Sequence, residues 1–327
     1  MLPLSILDLV PVILGETPRE ALHKSLDLAQ HAESLGYTRY WVAEHHNMTG
    51  IASAATSVVI GYLASGTSTI RVGSGGVMLP NHSPLVIAEQ FGTLASLYPD
   101  RIDLGLGRAP GTDPRTTLAL RRDPLRRDSF PQEVLELQAF LAPAQSGQTV
   151  RAVPGAGTEV PLWILGSSTF GAELAAQLGL PYAFASHFAP DALFPALDIY
   201  RKQFRPSKQL DHPYAMVGVN VVAADTDDEA RRLFTTVQQS FTNLVRGAGG
   251  KLQAPIDNID EYWTSMEKYQ ASHMLKYSIT GSPETVCQGL KDLASTTSAD
   301  ELMIVTSIHD HSARVRSYEL VTKVCRP

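Results

Sequence analysis

Along this chain, short apolar runs alternate with stretches in which apolar residues return every three or four positions, almost from end to end. The first run, 4–12, predicts a strand, since a continuous apolar stretch of that length suits a strand buried on both faces. Thr17-Pro18-Arg19-Glu20 then predicts a helix start: a capping Thr answered by Glu three positions on, with Pro at the first helical position. Ala21, Leu22, Ser25, Leu28, Ala29, Ala32 and Leu35 carry that helix's inner face, and Gly36 ends it. The same reading predicts strands at 38–44, 70–75, 101–106, 161–165, 181–186, 214–224 and 301–306. Helices are expected at 52–64 and 83–97, after Ser129-Phe130-Pro131-Gln132, between the fifth and sixth strands, after Asp225-Thr226-Asp227-Asp228, after Ser282-Pro283-Glu284, and at 315–324.

Eight strands alternating with helices predict a parallel sheet, and eight is the number that closes one into a barrel. The expected fold class is therefore α/β, a (β/α)8 TIM barrel forming one domain over 1–327, with an open doubly wound sheet as the competing arrangement. Two stretches break the rhythm and read as insertions after the fourth and seventh strands. They are the loop 109–128, rich in Gly, Pro, Arg and Asp, and 246–278, with one helix around 261–271. Residues 150–160 read as a short hairpin.

Composition narrows the function classes. Hydrophobic residues make up 44% and charged residues 18%, enough for one large core and the reverse of a disordered chain. A net charge of -6 repels nucleic acid and anionic membrane on average, so neither is an expected partner. The two cysteines, Cys287 and Cys325, have neither CxxC nor zinc-finger spacing. The apolar N-terminus lacks a basic leader and a small-residue cleavage site, and no uncharged run reaches the ~20 residues of a membrane helix. A cytoplasmic location is expected.

In a barrel of this kind the chemistry sits on the loops after the strands. There the chain places Glu44-His45-His46-Asn47, Gly73-Ser74-Gly75-Gly76, Gly105-Leu106-Gly107-Arg108, Gly166-Ser167-Ser168-Thr169 and Ser186-His187. Alternation along a strand lets only one of His45 and His46 enter the barrel mouth, where an imidazole relays protons near neutral pH. A hydrogen-bonded structural pair and a zinc site are the rival readings; the first strand has no histidine, and His309-Asp310-His311 lacks an evident partner set. Gly75 and Gly76 let backbone approach a flat ligand, or serve only a tight turn. Gly105-Leu106-Gly107-Arg108 is no dinucleotide fingerprint, because a loop rather than a helix follows it. Ser167 and Ser168 stand where a strand runs into a helix, a place that attracts a phosphate or is simply capped. Arg108, one strand over, offers positive charge.

Taken together, TRYWVAEHHN (38–47), IRVGSGGVMLPNHSPLVIAEQFGTL (70–94), RIDLGLGRAPGTD (101–113), PLWILGSST (161–169), AAQLGLPYAFASHF (175–188) and TGSPETV (280–286) resemble the luciferase-like monooxygenase superfamily. The similarity covers nearly the whole chain and looks closest to the superfamily's uncharacterised single-chain bacterial members. It implies a flavin, usually FMN, at the strand C-termini and chemistry in which reduced flavin reacts with oxygen. Carried over by position, His45 is the active-site histidine, Gly75-Gly76 is a site of a non-proline cis peptide beside the flavin ring, and Arg108, Ser167 and Ser168 lie on the phosphate side. Luciferase's reactive cysteine after the fourth strand is Gly107 here, so light emission is not transferred.

The resemblance implies an oxidoreductase: an FMN-dependent monooxygenase acting on a small organic substrate, with no metal. A separate flavin reductase supplies reduced FMN, since no nicotinamide fingerprint is visible in this chain. A deazaflavin-dependent hydride-transfer enzyme and a non-catalytic FMN-binding protein are the alternatives. Pairing of such barrels through early helices makes a homodimer the expectation, with the Ala-rich second helix as a permissive surface.

Overall fold

The structure is a computed structural model that describes residues 2–109, 111–120 and 129–325. Eight parallel strands form a closed barrel: β1 (Leu4–Asp8), β2 (Arg39–Val42), β3 (Arg71–Met78), β4 (Ile102–Gly107), β5 (Leu162–Gly166), β6 (Tyr182–Phe184), β7 (Ala215–Ala223) and β9 (Glu301–Val305). The first six neighbour one another in chain order; β6 then pairs with β7, β7 with β9, and β9 with β1. Sheet faces explain the unbroken apolar runs. Leu4, Ile6, Tyr40, Val42, Val217 and Val219 point outward into the helical layer, while Leu7, Trp41, Ala43, Trp163, Met216 and Met303 fill the barrel.

The floor of the barrel is polar. Arg39 bridges the fully buried Asp103 (2.8 Å) and Glu301 (3.0 Å). Ser5 donates to Glu301, Tyr214 donates to it at 2.8 Å, and Trp41 Nε1 donates to Asp103 at 3.1 Å. Burial opposes the Arg39 charge, but the two carboxylates outweigh it and hold the guanidinium protonated. Above this plug lies a layer of Trp41 and Trp163, edge to face at 5.1 Å between centroids. A barrel sealed from below is open for chemistry only at its other end.

The helical layer begins with α1 (Pro18–Ser34), where Thr17 accepts from the Glu20 amide and the Glu20 carboxylate accepts from Thr17 N at 2.7 Å, the expected capping box. α2 (Thr56–Ser65), α3 (Pro84–Leu97) and α5 (Phe130–Leu141) follow β2, β3 and β4. Then come α6 (Thr169–Leu178), α7 (Leu193–Gln203), α8 (Asp227–Val245), α10 (Pro283–Thr297) and α11 (His311–Cys325).

Several expected elements differ. The first strand stops at Asp8 because Val10 takes a left-handed φ of 50° and turns the chain off the barrel. The second helix starts at Thr56 rather than 52, since Ala52 N donates to Val10 O and Ser53 Oγ to Ala43 O. Ser129 does not cap α5; it is already helical, and its hydroxyl donates to Glu133 at 2.7 Å. Residues 150–160 form turns instead of a hairpin: Pro154 has no N–H for a ladder, and Gly155 packs its backbone against Gly92 of α3. Part of 109–128 lies outside the described residues, but α4 (Pro114–Ala119) forms there, capped by Asp113. The helix expected at 261–271 is α9 (Ser265–Met274), opened by a Thr264–Glu267 capping box. Beyond it β8 (Ile279–Gly281), not anticipated, pairs with Val221–Ala223 where β7 outruns β9.

Candidate active site

The end of β2 organises one side of the mouth. Trp41 and Ala43 face the barrel, and the alternation carried two residues further turns His45 the same way, with Glu44 and His46 opposite. Glu44 is buried and accepts four hydrogen bonds: His46 Nε2 (2.7 Å) and Asn81 Nδ2 (3.0 Å) on Oε1, Met78 N and His82 Nε2 (both 2.9 Å) on Oε2. Burial works against its charge, yet these donors outweigh it and keep the carboxyl below the usual range. His46 N also donates to Gly111 O (3.1 Å), and Thr112 Oγ1 donates to His46 O (3.0 Å). Glu44 and its neighbours thus lock the loops after β2, β3 and β4 together. The sequence showed Glu44 beside the histidines; its acceptor role depends on His82 and Asn81 of the next loop, which no local pattern reveals.

His45 Nδ1 is buried and makes no hydrogen bond of good geometry, with the Ala43 backbone as the polar group beside the ring. Burial drives the imidazole toward its neutral form; the Ala43 backbone and Glu44 oppose that, and His46 adds to it. His187, just after β6, has the same character. Its Nδ1 is also buried and unpartnered, and burial followed by the nearby His45 pushes it down to about 4. Room for the ring exists because β7 carries glycine there: a Cβ on Gly218 would stand 2.6 Å from His187 Nδ1. Sequence reasoning named His187 only as a strand end.

Gly75 and Gly76 lie on β3 beside β4, and the peptide between them is cis. Packing alone already demands glycine at 76, where a Cβ would stand 2.6 Å from the backbone Gly105 O; at Gly75 a Cβ would press on the Leu7 side chain at 2.8 Å. Ser167 and Ser168 precede α6 at the end of β5, and the Ser168 side chain makes no capping bond. Arg108, exposed after β4, lays its guanidinium 4.0 Å from the centroid of Phe170 in the first turn of α6. Arg108 and the two serines therefore come together at one strand-to-helix junction. His309-Asp310-His311 splits up: His311 Nε2 pairs with Asp27 of α1 at 2.7 Å, and Asp310 accepts from Ala313 N.

The insertion 246–278 closes the rim. Leu252 N donates to Val12 O (2.9 Å) and Leu14 N to Leu252 O (2.8 Å), so this segment is stitched onto the loop after β1. His273 of α9 reaches Asp191, after β6, at 2.6 Å. No helix among the described residues is long and apolar enough to cross a membrane.

With this geometry in place, known proteins give the family. The family model for luciferase-like monooxygenases matches residues 7–300. The chain belongs to the luciferase-like monooxygenase family. It is 56% identical over 321 residues to a luciferase-like monooxygenase of Escherichia coli K12, covering 98% of this chain and 96% of that one. Among solved structures, apo-MsnO8 is 36% identical with a TM-score of 0.87, covering 99% and 98% of the two chains. The oxygenating constituent of 3,6-diketocamphane monooxygenase from Pseudomonas putida, solved in complex with FMN, is 16% identical. It has a TM-score of 0.74, covers 98% and 97% of the two chains, and shares the fold alone. The luciferase-like barrel expected from the sequence is thus the observed one, and the chain is an oxidoreductase of the monooxygenase kind.

Proposed function

We propose that this luciferase-like monooxygenase uses reduced FMN, delivered by a separate flavin reductase, and molecular oxygen to oxygenate a small organic substrate in the barrel mouth. The observation that carries this reading is the meeting of Arg108, Ser167 and Ser168 at one strand-to-helix junction of the mouth, on the same strand ends as the inward-turned His45. The donor set fits the cofactor. Ser167, Ser168 and the amides opening α6 suit a phosphate, with Arg108 supplying charge. Gly75 and Gly76 present backbone rather than side chains to a flat ring. When bound, reduced flavin supplies the electrons that activate oxygen. In this reading His45 holds or moves a proton on its imidazole, the locked loops after β2 to β4 orient it, and the insertion's rim excludes water. The FMN bound by the Pseudomonas putida protein lends support by fold.

A homodimer belongs to the same proposal. Val58 and Tyr62 lie four apart on α2, and Val86 and Leu97 are on α3; all four are exposed apolar side chains.

The test supplies the protein with reduced FMN from a reductase and ¹⁸O₂, over a panel of neutral thioethers, ketones and aromatics. The expected result is ¹⁸O in one product class, dependent on both flavin and protein. Hydride transfer from a deazaflavin without oxygen, or flavin binding with no turnover, would replace this reading with one of its two rivals.

A further inference from the structure

We propose that Met78 sets the size of the apolar group the mouth accepts, its thioether forming the wall over the ends of β3 and β4. The inference rests on the reading of the mouth as the reaction site.

Met78 is the last residue of β3. Val77 and Leu79 on either side of it are buried in the outer apolar layer, so alternation turns the Met78 side chain to the barrel side. On that side the strand ends carry almost no side chains. Register pairs Gly75 with Gly105 and Met78 with Gly107, and over 75–78 and 105–107 only Val77, Leu106 and Met78 are not glycine. Leu106, like Val77, belongs to the outer layer. Met78 alone is left to fill the inner face.

Its side chain lies across the end of β4. A Cβ on Gly107 would stand 2.7 Å from Met78 Sδ and 3.2 Å from Cε, and one on Gly111 would stand 3.1 Å from Cγ. The thioether thus occupies the place a side chain at 107 would take. Gly107 is buried, while Gly75 and Met78 itself are partly exposed. A partly exposed glycine on the inner face of a barrel strand, against Leu7 and Trp41, marks the floor of an open space, and Met78 stands beside that floor.

The wall is fixed at its root and adaptable at its tip. Met78 N donates to Glu44 Oε2 at 2.9 Å, which holds the backbone. The unbranched thioether turns about three bonds and fits irregular apolar shapes. Gly75, Gly105, Gly107 and Leu165 around it bring no charge, and the Glu44 carboxylate is taken up by its four donors. An uncharged, apolar part of the substrate fits against such a wall. Gly107 supplies the opposite perturbation. Beyond Met78, the next described atom a Cβ there would meet is Val77 O at 3.9 Å. A methyl group at 107 therefore displaces the thioether, and with Gly111 closing the other side it moves toward the mouth.

The test supplies reduced FMN and oxygen to wild type, Met78→Ala, Met78→Leu, Gly107→Ala and Val77→Ala, over neutral thioethers and ketones of rising bulk. Met78→Ala should raise kcat/KM for the bulkiest substrates, relative to the smallest, by roughly tenfold, the scale of one methylene in an apolar pocket. Gly107→Ala should shift the preference the other way, and Met78→Leu, which keeps the bulk, should keep the wild-type order. Val77→Ala, a cavity in the outer layer, should cost stability and leave the size order in place. An unchanged size order in both Met78→Ala and Gly107→Ala overturns the proposal. A second arm needs neither flavin nor turnover: binding of the neutral probe N-phenyl-1-naphthylamine, read by its fluorescence. Affinity should rise roughly tenfold in Met78→Ala and fall in Gly107→Ala. Equal affinity in wild type and both variants, or no binding by any of them, overturns the wall. Failure of the wild type to oxygenate any of the panel would sink the function proposed above, whereas the probe still decides whether Met78 bounds the mouth.

Discussion

Replacing Glu44 tests whether the loops of the mouth are held by one buried carboxylate. Its side chain is only 2% exposed, and each of its oxygens accepts two hydrogen bonds, one from a histidine on each side. In Glu44→Gln one oxygen survives and keeps two donors. The new NH₂ group confronts the other two. The Met78 amide cannot move with its strand, so the amide oxygen settles on Met78 and His82. His46 can accept from the new NH₂ by changing tautomer, and the cost falls on Asn81, whose Nδ2 now faces a donor. A buried donor facing a donor costs about 1–3 kcal/mol. The expected destabilisation is about 2 kcal/mol for Gln and about 3–5 kcal/mol for Ala, which abandons all four donors. The pH dependence follows from the same bonds. Glu44 has a folded pKa below its ordinary 4.5, so its contribution is present above that value and is lost as pH falls through the folded one. Urea denaturation at pH 7 and at pH 4 measures both effects. The Glu44→Gln deficit should shrink toward acid, with the m-value unchanged. A variant as stable as wild type at pH 7, or a deficit that grows on acidification, refutes the reasoning.

Arg39→Met should destabilise the chain by about 3–5 kcal/mol in urea, because Glu301 is left buried without its cation while Asp103 keeps only Arg71; a loss below 1 kcal/mol would mean the plug is dispensable. His45→Ala should lower turnover by ~10²–10⁴-fold while oxidised FMN still binds; loss of binding with intact chemistry per bound flavin would make His45 a prop. Light scattering at micromolar concentration should give a dimer, with Val58→Glu shifting it toward monomer; a monomeric wild type refutes the early-helix interface.

The fold was legible because its signals are local. The Thr17–Glu20 capping box, the apolar period of α1 and the unbroken strand runs each concern residues a few positions apart, and they survived into the structure. Boundaries failed where a distant contact overrode the pattern. The run 4–12 is apolar throughout, but Val10 turns out of the sheet to meet Ala52, and Val12 bonds Gly50 and Leu252. β8 is three residues long and exists only because β7 extends past β9. In the site, alternation allowed only one of His45 and His46 to turn inward, and the family resemblance picked His45. Neither gave a hint of where the His187 ring would lie, because that depends on barrel closure between β6 and β7 and on the missing side chain at Gly218. The glycines keep two readings: Gly75 and Gly76 can cradle a ligand, and at Gly76 the Gly105 backbone already leaves no room for a side chain.

Calorimetric titration of the protein with reduced FMN, under anaerobic conditions, bears most directly on the central claim. The flavin should bind at one site per chain and more tightly than a deazaflavin. Replacing Ser167 and Ser168 by Ala should cost FMN ~1–3 kcal/mol of affinity and riboflavin much less, since the phosphate is what the serines and Arg108 are proposed to hold. Equal losses for the two ligands would move the phosphate elsewhere, and tighter binding of the deazaflavin, or no flavin binding at all, would contradict the account.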